Sequence, residues 1–276
     1  MVVVKETKTK YSNYYVTCDV GGTFTRIGLV GIINDQPELL ALETTGTDNT
    51  LQKKIQHFLN EIPIKVKSIA IAAAGPTTGK KITLTNNKLI IDKAKYEKIL
   101  NKKILLLNDY EATANLVRTY NPNYPTLLVG IGTGLGTSII TEHDIISSEA
   151  GHLKIPGENK YTKGKTFESI LSAKGIERIH RSKTKKTKNA IDIKNKSIYL
   201  TLSKVLSQYL EELSKVTEAK SIFLTGGVIQ RHPYMLKEIK IPKSKFIPEQ
   251  DEIVLLERDA VGVLGAAMAL HTAKFK

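Results

Sequence analysis

Asn108 and Asp109 stand side by side at the end of the apolar run KKILLLND (102–109), directly before the helix-forming stretch YEATANLVRTY (110–120). Such a run reads as a strand buried on both faces, which places the two side chains at its carboxyl end. In open α/β sheets that edge is where ligands bind. There Asp109 could take a proton from a substrate hydroxyl as general base while Asn108 orients the same molecule. The alternative is local: Asp and Asn are preferred helix N-caps, and Asp109 could simply cap the helix that follows. Glu149 and His152, in SSEAGHLKIP (147–156), are a second candidate pair. Alone they read as surface or turn residues; beside a polyol they become hydrogen-bonding partners.

Two glycine turns carry the other chemistry. In DVGGTFTRIGLV (19–30) a carboxylate, two glycines, a threonine and an arginine lie between apolar runs. The turn has neither the three-glycine spacing of a dinucleotide-binding loop nor the Gly-Lys-Ser/Thr of a P-loop. The residues after it suit a second strand better than a helix. Tyr15 to Leu29 is therefore expected to form a hairpin whose Gly21-Gly22 tip can bring backbone N–H groups to an anion. Taken by itself, the motif reads first as an ordinary tight turn. PTLLVGIGTGLGTSII (125–140) repeats the pattern of strand, glycine tip with threonine, and strand. Two such tips, Gly21-Gly22-Thr23 and Gly132-Thr133-Gly134-Leu135-Gly136, facing one cleft would suit a polyphosphate chain, which predicts a nucleotide-binding, two-lobed fold.

The elements that must position these residues alternate. SIAIAAAGP (68–76) reads as another doubly buried strand, and SIFLTGGVIQR (221–231) as a strand entering a glycine turn. Between them, IYLTLSKVLSQYLEELSKVTEAK (198–220) is a helix with Leu202, Val205, Leu206, Tyr209, Leu210, Leu213 and Val216 in one apolar stripe. The alternation predicts an α/β protein. VGVLGAAMAL (261–270) is too short to span a membrane and reads as a buried helix. A single cysteine, Cys18, excludes an internal disulfide and a cysteine-cluster metal site. That cysteine usage, together with an opening stretch lacking the apolar core of a secretory signal, leads to a cytoplasmic expectation. The net charge of +14 is densest in RSKTKKTKNAIDIKNK (181–196). That segment has no interleaved aromatics and does not resemble a recognition helix, so it reads as a solvated face, with neither a specific nucleic acid nor a membrane as partner. The excess charge would attract anionic substrates only as a diffuse field.

Taken in order, these motifs resemble those of the bacterial-type glucokinases of the hexokinase–actin–heat-shock ATPase superfamily, from about Val16 to Leu270. DVGGTFTRIGLV is similar to the family's first phosphate motif, Arg26 included, and VGIGTGLGTS to the second. IAAAGP and TLTNNKLIID resemble the sugar-domain segment leading into LLLND, whose Asp is the family's catalytic base. EAGH matches the segment whose Glu and His contact sugar hydroxyls, and FESILSAKG resembles the start of a helix bearing a further sugar-contacting Glu, here Glu168. FLTGGVIQR is similar to the adenosine motif, and DAVGVLGAAMAL to the closing helix. The resemblance implies a two-lobed actin-like ATPase fold, ribonuclease H-like and duplicated, with an interlobe cleft. Residues 1–108 would form the small α/β lobe, completed by the C-terminal helix at 260–276, and 109–259 the large α/β lobe.

By the same resemblance, the activity is transfer of the ATP γ-phosphoryl group to the 6-hydroxyl of glucose with Asp109 as base. Asn86, Asn108, Asp109, Glu149, His152 and Glu168 would hold the sugar. Gly21, Gly22, Thr23 and Arg26, with Gly132, Thr133 and Gly134, would hold the phosphates, and Gly226 and Gly227 the adenosine. Asp19 would hold Mg2+ through water, and a homodimer is the family expectation. The alternatives are a kinase for mannose, glucosamine or an N-acetylhexosamine, and a sugar-sensing regulator. The regulator usually carries a DNA-binding helix-turn-helix, for which the stretch before Val16 leaves no room. No cysteine-rich zinc motif follows His152, which places the chain with the zinc-free branch. It departs from the family pattern at Phe24, commonly Asn, at Ala150, commonly Gly, and near Ala173-Lys174-Gly175, where a Gly-Pro-Gly-like turn is common.

Overall fold

The computed structural model describes residues 4–5, 10–85, 87–156, 165–240, 252–256 and 260–273. The chain divides into two compact units, 1–121 with 258–276, and 122–257. The first begins with β1 (Asn13–Val20), β2 (Phe24–Ile33), β3 (Gln36–Gly46), α1 (Leu51–Glu61) and β4 (Ser68–Ala73). It continues through the small hairpin β5 (Lys81–Thr83) and β6 (Ile90–Asp92), then α2 (Lys93–Leu100), β7 (Lys103–Asn108) and α3 (Asp109–Arg118). The second unit contains β8 (Thr126–Ile131), β9 (Leu135–Ile140), β10 (Ile145–Ser148), α4 (Ala173–Thr184) and α5 (Lys196–Thr217). It closes with β11 (Ser221–Thr225), α6 (Gly227–Arg231) and β12 (Glu252–Leu255), after which α7 (Val261–Thr272) returns to the first unit.

Each unit is built on a five-stranded sheet, ordered β3-β2-β1-β4-β7 in the first and β10-β9-β8-β11-β12 in the second. In both, the first strand in sequence pairs antiparallel with the second and parallel with the fourth. The third strand extends one edge antiparallel and the fifth extends the other in parallel. The two sheets therefore have one topology, as the recurring hairpin implies. Every residue of β4, β8 and β11 is buried, the signature of strands covered on both faces.

α7 is apolar all round and buried from Gly262 to Leu270. It seats closely because small residues meet it. A Cβ on Gly265 would stand 2.0 Å from the Ala112 carbonyl oxygen, and one on Gly28 2.6 Å from the Val263 side chain. The Thr17 hydroxyl donates to the Val263 carbonyl at 2.8 Å. α3 packs into the same seam, with Leu116 clustered against Val263, Leu264 and Ala267. The 108/109 boundary expected from sequence falls between β7 and α3, whereas the first unit runs on to Asn121. On α5 the stripe is buried from Leu202 to Leu213, but Val216 is 82% exposed in the last turn before the helix ends at Thr217.

Candidate active site

Parallel pairing aligns the ends of β1, β4 and β7. Asp19 lies opposite Ala72, and Ala73 opposite Asn108, so Asp19 and Asn108-Asp109 share one edge of the first sheet. The structure shows which of the two residues caps α3. Asn108, not Asp109, is the N-cap: its Oδ1 accepts from the Tyr110 N–H at 2.9 Å, and its own N–H donates to Glu111 Oε2 at 3.3 Å, a capping box. Asn108 Nδ2 also donates to the Gly75 carbonyl at 3.1 Å. Gly75 must be glycine, because a Cβ there would stand 2.1 Å from the Thr83 carbonyl oxygen.

Asn108 makes the capping-box bonds, while the Asp109 carboxylate, at the first position of α3, is also hydrogen-bonded by its own and the Tyr110 N–H groups and by the Asn108 side chain. Burial, and then the charge of Asp19, push its carboxyl pKa up to about 6. Burial also raises the Asp19 carboxyl, opposed by Arg26 across the β1–β2 ladder, whose Nη1 lies 3.3 Å from Asp19 Oδ2. Gly262 of α7 abuts Asp19, leaving a Cβ only 2.7 Å from its Cγ.

The first tip is closed by the Gly21 N–H donating to the Phe24 carbonyl at 3.0 Å, while Thr23 C=O accepts from the Thr47 N–H. The Gly22 and Thr23 N–H groups have no partner among the described residues. Arg26 is engaged by Asp19, and Phe24 is 61% exposed on the same strand. Asn86 lies outside the described residues. Its neighbour Asn87 reaches the Gly22 and Thr47 carbonyls through Nδ2 at 3.5 and 3.4 Å.

The second unit gathers its own set. The Gly132 N–H donates to the Gly134 carbonyl at 2.9 Å, closing the second tip, and Thr133 and Gly134 N–H groups have no partner among the described residues. Gly226 has φ +99°, and a Cβ there would stand 2.4 Å from the Ile131 carbonyl oxygen, so the Gly226-Gly227 turn lies against the strand end that carries this tip. Only glycine meets both demands. Glu149 precedes the one-turn 3-10 helix Ala150–His152 and His152 ends it, their side chains exposed and 3.5 Å apart.

Glu168 is not on a helix, as its motif suggested, but on a turn ahead of α4, whose start is capped by Ser172. Its N–H donates to the Gly151 carbonyl at 2.8 Å and its Oε2 accepts from the Leu135 N–H at 3.1 Å. The structure thus brings Glu149, His152 and Glu168 together with the second tip in one unit, and Asp19, Arg26, Asn108 and Asp109 with the first tip in the other. The crowding of Gly75 and Gly262, and the bond from Glu168 to the tip, escaped sequence reasoning. A Gly-Pro step after β4 and the small residues of α7 were the available signals for the glycines; nothing local signalled the bond.

No group of three or more His, Cys, Asp or Glu side chains that could hold an ion occurs among the described residues. None of their helices is long and apolar enough to cross a membrane.

The family model described as Glucokinase matches residues 16–273. A glucokinase of Mesorhizobium japonicum is 26% identical over 285 residues, covering 86% of this chain and 84% of that protein. Among solved structures, a glucokinase from an Antarctic psychrotroph superposes with a TM-score of 0.79 at 19% identity, covering 95% of this chain and 99% of that one. A glucokinase from Balamuthia mandrillaris, solved in complex with glucose, gives 0.73 at 16% identity over 95% and 94% of the two chains. At such identities the structural likeness establishes the fold, while the family match covers nearly the whole chain.

Proposed function

Because this chain belongs to the glucokinase family, and is an ATP-dependent glucose kinase, we propose that Asp109 is the general base of its reaction. One observation carries this reading. Asp109 sits at the carboxyl edge of its sheet, beside the capping residue Asn108, with a carboxyl pKa raised by burial to about 6. A base of that affinity is ionised at neutral pH yet basic enough to accept a hydroxyl proton.

Phosphoryl transfer asks for positioning and charge stabilisation more than for covalent chemistry. The sugar 6-oxygen bonds to the γ-phosphorus, the bond from that phosphorus to the β,γ-bridging oxygen breaks, and the hydroxyl proton passes to Asp109. Asn108 is assigned to orienting the sugar through its amide, which also bonds the Gly75 carbonyl and the Asp109 carboxylate. Glu149, His152, Glu168 and Asn86 are assigned to the remaining hydroxyls. The unpartnered N–H groups of Gly22 and Thr23, and of Thr133 and Gly134, are assigned to the phosphates, and the Gly226-Gly227 turn to the adenosine. Arg26 is assigned a supporting place beside the phosphates while it pairs with Asp19. Asp19 and Asp109 raise the local negative potential, which suits Mg2+ held through water by Asp19; the ion would neutralise phosphate charge. A cytoplasmic location, supported by the lone buried Cys18, and a homodimer complete the proposal.

The test is an ATP- and Mg2+-dependent phosphorylation assay on glucose, mannose, glucosamine and N-acetylglucosamine, with glucose expected to be turned over fastest. Asp109→Ala should lower kcat by about a hundredfold or more. Wild-type turnover in that variant would remove Asp109 from the role.

A further inference from the structure

We propose that Glu168 is a positioning residue for the second glycine tip, so that one carboxylate both engages the sugar and sets the groups that hold the nucleotide phosphates. The inference rests on the kinase reading above and adds to it a link between the two substrates.

The geometry lies wholly within the second unit. Glu168 Oε2 accepts from the Leu135 N–H at 3.1 Å, on the far side of the tip's turn. Just before the tip's turn, the Gly132 carbonyl accepts from the Ala173 N–H at 2.8 Å. Segment 168–173 therefore grips the tip at both ends. The packing is tight: a Cβ at Gly134 would stand 2.9 Å from Glu168 Oε2, and one at Gly151 would stand 2.9 Å from the Leu135 carbonyl oxygen. Gly151 also accepts the Glu168 N–H at 2.8 Å, tying in the turn that bears Glu149 and His152. Oε1 of Glu168 has no partner among the described residues. One oxygen is thus committed to the tip and the other is available to a hydroxyl. A sugar that draws on Oε1 moves or stiffens the same carboxylate that fixes Leu135 and, through it, the Thr133 and Gly134 N–H groups. By linkage, what glucose does to nucleotide affinity here, nucleotide does to glucose affinity.

The experiment is calorimetric binding of AMPPNP to the full chain, with and without saturating glucose, for wild type, Glu168→Gln and Glu168→Ala. Wild type is expected to bind the analogue more tightly with glucose present. Glu168→Ala should weaken AMPPNP by about tenfold or more even without glucose, the loss of one charge-assisted hydrogen bond, and glucose should no longer change it. Glu168→Gln keeps an acceptor for the Leu135 N–H, so its affinity without glucose should stay near wild type while glucose binding weakens. If Glu168→Ala does not fold, Glu168→Met, which fills the same space without an acceptor for the Leu135 N–H, should reproduce its loss. An AMPPNP affinity without glucose within about twofold of wild type in Glu168→Ala, or Glu168→Gln as weak as Glu168→Ala, would overturn the proposal. So would a wild type whose AMPPNP affinity ignores glucose. Wild type that binds neither ligand would instead overturn the kinase reading on which the proposal rests.

Discussion

Asp109 owes its chemistry to where its carboxylate is held. Its proton affinity is raised by burial first and by Asp19 second, and both effects bear on folding as well as on its proposed part in catalysis. The folded chain binds this proton more tightly than the unfolded chain, whose carboxyl titrates near 3.8. Stability is therefore present at low pH and lost as pH rises from about 3.8 to about 6. Asp109→Asn is expected to melt above wild type at pH 7–8, with the gap closing near pH 4, as followed by thermal unfolding. In kinetics the sign reverses. kcat/KM reports the free enzyme's base, so it should fall on the acid side with a midpoint near pH 6. The candidates Asn108 and Asp109 were legible because a polar pair closing an apolar run is a local pattern. Which of the two caps α3 was not, since both types cap well and only the path of the chain past Gly75 separates them.

At the scale of elements, the glycines of α7 and of the second unit's turns carry the strongest demands. Gly265 meets the Ala112 carbonyl with no room for a methyl group. Gly265→Ala should destabilise the first unit by about 1–3 kcal/mol through overpacking, read as a lowered denaturation midpoint. Gly226→Ala faces both a positive φ of +99° and the Ile131 carbonyl. It should weaken AMPPNP binding more than glucose binding, a split that calorimetry resolves. The hairpins, the doubly buried strands and α7 were all readable from their apolar patterns. The position of Glu168 was misjudged because its motif suits a helix start, whereas the chain first makes a turn that Thr166 and Phe167 stabilise by bonding Ser169 and Ile170.

For the molecule as a whole, the two sheets of identical topology explain why two glycine tips recur in one chain: each sits at the end of the first strand of its sheet, where the ladder turns back. The lysine-rich segment 181–196 covers the end of α4 and the start of α5 and is largely exposed. Changing Lys185, Lys186 and Lys188 to Gln is expected to leave turnover near wild type and to shift stability by less than about 0.5 kcal/mol per site, checked by the kinase assay and by melting. The proposed homodimer is tested by light scattering, which should return twice the mass of one chain.

Sequence by itself determined the alternation of elements, the two hairpins, the buried closing helix and the candidate acid–base pair. Those features depend on periodicity and on residues within a few positions of one another. Tertiary structure alone decided that Asn108 rather than Asp109 makes the capping box, that Arg26 answers Asp19, that Gly262 abuts Asp19, and that Glu168 bonds the second tip. The contacts of Gly262 and Glu168 join residues far apart in the chain, those of Asn108 and Arg26 depend on how the strand ends are packed, and the raised proton affinity of Asp109 follows from burial and a neighbouring charge. None of these exists until the chain has packed.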